Sequence, residues 1–64
     1  MTAKQIKEKI LAIKEKDCSN VFYVNFIEFQ KSNCSLYMHN DYLQIFVDGA
    51  EQARIHIDFV KDLF

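Results

Sequence analysis

Residues 20–30 read NVFYVNFIEFQ, and this stretch decides how the chain is built. Its β-branched and aromatic residues predict a strand, whose alternate side chains point to opposite faces. Tyr23, Ile27 and Phe29 then share one face, while Phe22, Val24 and Phe26 share the other. Both faces need cover, and which parity meets the core stays open. Asn25 falls in the middle, where a buried amide needs a partner and can fix register across an interface. Glu28 reads either as a gatekeeper against aggregation or as a hydrogen-bonding group facing a partner.

The segment before it predicts a helix. Thr2 is the expected N-cap, and Gln5, three residues on, completes a capping box. Ala3, Ile6, Ile10 and Ile13 follow at helical spacing with Leu11 beside them, and lysines and glutamates fill the other faces. Asp17, Cys18, Ser19 and Asn20 have poor helix propensity and end the element. The apolar stripe is wide enough for one face of a sheet and no wider.

After residue 30 the pattern alternates with period two. Leu36 and Met38 oppose Tyr37 and His39; Leu43, Ile45 and Val47 oppose Tyr42, Gln44 and Phe46. Ile55, Ile57 and Phe59 alternate with Arg54, His56 and Asp58. Asn40-Asp41 predicts a two-residue hairpin turn that sets Met38 against Leu43 and Leu36 against Ile45. The stretch DGAEQ, residues 48–52, predicts a second hairpin loop of about three to five residues. Phe59, Val60, Leu63 and Phe64 fall at helical spacing and suggest a final helical turn. The expected fold is α+β: an N-terminal amphipathic helix packed on a four-stranded antiparallel meander sheet, with a short C-terminal turn, all within a single domain over residues 1–64.

Composition narrows function more than it names it. The chain has 64 residues, half of them hydrophobic, with nine aromatics, one glycine and no proline. Chains of this size bury only ~60% of their unfolded surface and often rely on a disulfide, a metal or a partner. Residues 1–16 carry a net charge of +3 and the remainder −4, too little either way for a strong polyion-binding case. Seven lysines to one arginine suit an AT-rich genome such as that of a low-GC bacterium or its phage. No apolar run approaches the ~20 residues that span a bilayer, and the first residues lack the apolar stretch of a signal peptide, so a cytoplasmic location and no membrane partner are expected.

Chemistry-bearing constellations are sparse. Cys18, Cys34, His39 and His56 supply the count for a zinc site, but no Cys-x-x-Cys or His-x3-His spacing supports one. Gly49 is the only glycine, so no phosphate loop is present, and no serine, threonine or cysteine has an evident base and orienter. We therefore expect no catalytic residues, no cofactor and no metal.

What stands out is an uncovered sheet face. One helix covers one side, leaving Tyr37, Tyr42 and Phe46 on the other, with Phe22 and Phe26 of the opening strand or, in the opposite parity, Tyr23, Ile27 and Phe29. These rings are the expected contacts of a protein-binding module, an inhibitor or adaptor, with Asp41, Asp48, Glu51 and Asp58 as acidic surroundings that suit a basic target. A homodimer that buries the same face, or one that pairs edge strands, is the simplest solution. The alternative is an RNA- or single-strand-binding module that stacks bases on the sheet aromatics beside the helix lysines; the net-negative sheet region disfavours nucleic acid.

Overall fold

The computed structural model describes residues 1–64. Helix α1 (Ala3–Glu15) is followed by β1 (Val21–Val24), β2 (Ile27–Gln30), β3 (Cys34–His39), β4 (Tyr42–Val47) and β5 (Ala50–His56), then a 3-10 turn at Ile57–Phe59. The α+β class stands. The single four-stranded meander does not: β1–β2 form one antiparallel sheet and β3–β4–β5 another.

The helix starts where its cap dictates. Gln5 N–H donates to Thr2 Oγ1 at 3.2 Å, and Thr2 N–H donates back to Gln5 Oε1 at 2.9 Å. Two orphan amides of the first turn are thereby satisfied. Ile6 and Ile10 are buried and Ile13 packs beside them, whereas Leu11 stays 56% exposed. The helix ends at Glu15, and the amide of Lys16 closes on the carbonyl of Ile13.

The decisive difference lies in residues 20–30, which form a hairpin rather than one strand. Asn25 and Phe26 adopt φ of 49° and 68°, both left-handed, and together make a two-residue turn. Such turns match the twist of the flanking strands, and asparagine tolerates the first position. Phenylalanine tolerates the second poorly, at about 1–2 kcal/mol. Reversal at this point redistributes the faces. Phe22 now opposes Phe29, and Val24 opposes Ile27. The two phenylalanine rings stack at 5.5 Å between centroids. Tyr23 opposes Glu28 on the reverse side, and its hydroxyl donates to Glu28 Oε1 at 3.0 Å.

Asn25 holds this turn by clasping the C-terminal segment. Its Nδ2 donates to the carbonyl of Phe59 at 2.9 Å, and its Oδ1 accepts from the amides of Lys61 and Asp62 at 2.7 and 3.3 Å. Its own amide donates to the carbonyl of Asp62 at 2.8 Å. The partner anticipated across an interface is therefore the chain's own tail. That tail is extended beyond Phe59, not helical: Leu63 bridges antiparallel to Val24, and Tyr23 and Phe64 exchange two backbone hydrogen bonds. An edge of β1 open to pairing offers more hydrogen bonds than one isolated helical turn.

In the second sheet, Met38 faces Leu43 and Leu36 faces Ile45, in the register that the Asn40-Asp41 turn predicts. The next loop is shorter than expected. Asp48 and Gly49, with φ of 52° and 82°, form a two-residue turn that pairs Val47 with Ala50. Continued without interruption, this register would put Gln52 opposite Ile45 and Arg54 opposite Leu43, on the core face. A bulge prevents that: Phe46 pairs with Glu51, Ile45 with Ala53, and Leu43 with Ile55. One extra residue restores the apolar parity. Alternation then stops at His56. The Asp58 amide caps onto His56 Nδ1 at 3.1 Å, and Phe59, expected on the inner row, is 66% exposed.

The core answers the question of cover. Its nine buried residues are all apolar: Ile6 and Ile10 from α1, Phe22 and Val24 from β1, Leu36, Leu43 and Ile45 from the second sheet, Val60 and Leu63 from the tail. Helix, hairpin and tail together roof the inner face of β3–β5. No element covers its outer face.

The clasp makes a testable demand. Asn25→Ala loses three side-chain hydrogen bonds and a left-handed preference, and should destabilise the fold by about 2–3 kcal/mol. Asn25→Gly keeps the permitted φ and should lose about 1 kcal/mol less. Urea denaturation of the two variants beside the native chain measures both values; equal losses would show that turn geometry contributes nothing.

Candidate interaction surface

Strand pairing builds the outer face row by row. Ser35, Phe46 and Glu51 lie across the sheet at one end, Tyr37, Gln44 and Arg54 in the middle, and His39, Tyr42 and His56 at the other end. The aromatic groups lean on one another diagonally and across strands. Tyr37 meets Phe46 edge-on at 5.3 Å, Tyr42 meets His56 edge-on at 5.2 Å, and Phe59 continues from His56 at 6.4 Å. Edge-to-face contacts of this kind favour ordered rings over freely rotating ones. Tyr37 is 50% exposed and Tyr42 41%. Lys14 reaches over the Tyr37 ring from α1, its Nζ 5.7 Å from the centroid.

Polar groups cross the same face between the rings. Glu51 Oε1 and Oε2 accept from Arg54 Nη2 at 3.1 and 3.0 Å, and Gln44 Nε2 donates to Glu51 Oε2 at 2.6 Å. The Arg54 hydrogen bonds hold the Glu51 carboxyl below its usual range against some desolvation, with Gln44 helping. Glu51 is thus engaged within the chain. On the first sheet, the hydrogen bond with Glu28 and that residue's negative charge push the Tyr23 phenol up.

The structure separates the residues that sequence reasoning grouped. Phe22 is 2% exposed and stacked on Phe29, so it belongs to the core and is withdrawn from the surface. Phe26, 73% exposed, sits at the tip of the other hairpin, in a different sheet. Tyr37, Tyr42 and Phe46 do share one face. The acids divide between the ends of the sheet: Asp41 lies in the β3–β4 turn, tied to the amide of Ile57 and so close to Asp58, while Asp48 lies in the opposite turn near Glu51. Asp58 Oδ2 stands 3.6 Å from His56 Nδ1.

Sequence reasoning missed Phe59 and Phe64 as surface rings. Phe64 stacks on Tyr23 at 4.9 Å and remains 55% exposed. A His-x-Asp cap after the last apolar pair is the signal that could have ended β5 before Phe59. Cys18 and Cys34 are free thiols, and Cys34 Sγ donates to Asn33 Oδ1 at 3.3 Å. No three histidine, cysteine or acidic side chains converge as metal ligands. No helix is long and apolar enough to cross a membrane.

Because the folded Glu51 carboxyl is the more acidic state, its contribution to stability is present above the unfolded carboxylate range and fades as pH falls through the lower folded value. An NMR pH titration should find the Glu51 carboxyl protonating below the ordinary glutamate range. In Arg54→Ala its midpoint should move back up towards that range, because the largest cause of the lowering is removed.

Comparison with protein-family models, with curated proteins and with solved structures finds no match for this chain.

Proposed function

We propose that the chain is a small non-enzymatic protein-binding module, an inhibitor or adaptor, acting through the outer face of β3–β5. Tyr37, Tyr42 and Phe46 form the apolar contact, and Asp41, Asp48, Glu51 and Asp58 give its margins the charge to meet a basic target. One observation supports this above the others: Tyr37, Tyr42 and a half-buried Phe46 share a face that no helix or strand of the chain covers, Tyr37 and Phe46 in edge contact. Aromatic burial carries much of the energy of protein interfaces, and charged rims set orientation and partner choice. In the absence of its target the chain covers the same face with a second copy, as a two-fold dimer.

Phe46→Arg tests the dimer without wrecking the sheet, since the new guanidinium faces Glu51 across the strand pair. Sedimentation at micromolar concentration should find the native chain dimeric and the variant monomeric, with matching circular dichroism. A native monomer would remove self-association from the reading.

A second reading draws on Lys14, whose ammonium stands beside the Tyr37 ring as it would beside a stacked base. Phosphate contacts make affinity fall steeply with salt, whereas an apolar interface responds weakly. We expect no anisotropy change with a labelled single-stranded oligonucleotide at about physiological ionic strength. Tight binding that collapses as salt rises would assign the face to nucleic acid.

A further inference from the structure

A different surface runs along the edge of β3. Strand pairing leaves three lateral edges, on β2, β3 and β5. Strand β2 is short, with four residues, and carries Glu28. Strand β5 is bent by its bulge and carries Glu51 and Arg54. Both are the usual protections of an exposed edge. Strand β3 has neither a charged residue nor a bulge over its six residues. In a two-residue hairpin closed by His39 and Tyr42, the N–H and C=O groups of Cys34, Leu36 and Met38 point away from β4. No backbone hydrogen bond from elsewhere in the chain reaches β3.

Beside this edge, between α1 and β3, lies a groove of about 260 Å³. Ile10, Ile13, Phe22 and Leu36 contribute apolar walls, and Lys14 and Lys31 are its only charged lining residues. A shallower continuation toward Met38 adds Lys7 and again no acid. Lys31 is held in place by donating from Nζ to the carbonyl of Lys16 at 2.6 Å. Unpaired strand edge, apolar trough and a one-sign rim lie together.

We propose that this edge binds an extended acidic peptide segment of a partner protein by strand addition, with alternate apolar side chains in the trough and carboxylates toward Lys7, Lys14 and Lys31. Main-chain hydrogen bonds to Cys34, Leu36 and Met38 supply the pairing, and the trough and rim supply selectivity. Charge argues against a second copy here. Two β3 strands paired about a two-fold axis would bring both lysine sets along one seam, and like charges oppose such pairing.

The test uses the full chain, isotope-labelled, titrated with a capped peptide alternating leucine and aspartate and with its leucine–lysine counterpart. The acidic peptide should shift the amide resonances of Cys34, Leu36 and Met38 and slow their hydrogen exchange, and the lysine peptide should not. Lys14→Glu/Lys31→Glu should weaken binding by about tenfold or more, and Lys14→Gln/Lys31→Gln by less; retained amide dispersion checks that both variants fold. The proposal is overturned by shifts confined to Tyr42, Gln44 and Arg54, by equal binding of the lysine peptide, or by no shift at millimolar peptide. It is also overturned if a single-stranded oligonucleotide binds these amides more tightly than the acidic peptide. Concentration-dependent broadening of the three amides without peptide would assign the edge to a second copy and overturn it equally.

Discussion

The side chain of Asn25 fastens the tip of the first hairpin to the C-terminal segment, beside the pairing of that segment with β1. It bonds the carbonyl of Phe59 and the amides of Lys61 and Asp62 from the tip of a hairpin. Two successive left-handed residues are costly when neither is glycine, and Phe26 gains nothing from its side chain, which is 73% exposed. Three hydrogen bonds, each of net ~0.5–1.5 kcal/mol, offset that strain. In return the hairpin brings Phe29 onto the face of Phe22, and the clasped tail delivers Val60 and Leu63 to the core. A straight strand through residues 20–30 would have left half of these side chains on the wrong side.

Parity is the recurring theme of this fold, and the chain corrects it twice. At Asn25-Phe26 a turn reverses the strand so that Phe29 returns to the face of Phe22, while Ile27 stays exposed near the tip. At Glu51–Ala53 a bulge shifts β5 by one position so that Ala53 and Ile55, rather than Gln52 and Arg54, meet the core. Each device adds a local irregularity to satisfy a non-local requirement. The reward is a core of nine apolar residues with no buried polar group among them.

This explains which parts were legible in the amino-acid sequence. The helix cap at Thr2 and the Met38–Leu43 register were legible because residues a few positions apart determine them. The Asn25 turn was hidden by Phe26, since the familiar signal for such a turn is asparagine followed by glycine. The Asp48-Gly49 turn carried a familiar signal, but the bulge that follows made a longer loop fit the alternation equally well. The tail read as helical because its apolar spacing suits a helix; it is extended because β1 offers an unpaired edge, which no local pattern in residues 59–64 discloses. That Tyr37, Tyr42 and Phe46 share one face of the sheet was legible from alternation alone. Phe22 was misplaced because its stacking partner, Phe29, had not yet been folded back onto it.

The two proposed surfaces meet at Tyr37 and Lys14. Tyr37 presents its ring to the outer face, against Phe46, while its strand borders the lysine-rimmed trough. Lys14 belongs to both, as a wall of the trough and as the cation over that ring. A strand added beside β3 would place a new row of side chains next to Tyr37 and draw Lys14 toward its carboxylates. The outer face would then gain a row of carboxylates beside Tyr37 and lose the positive charge at its border, around the middle row of Tyr37, Gln44 and Arg54. Occupation of the edge would thus make the outer face more selective for a basic protein surface and less suited to phosphate, so a single target that supplies both an acidic segment and a basic patch engages the two surfaces without competition.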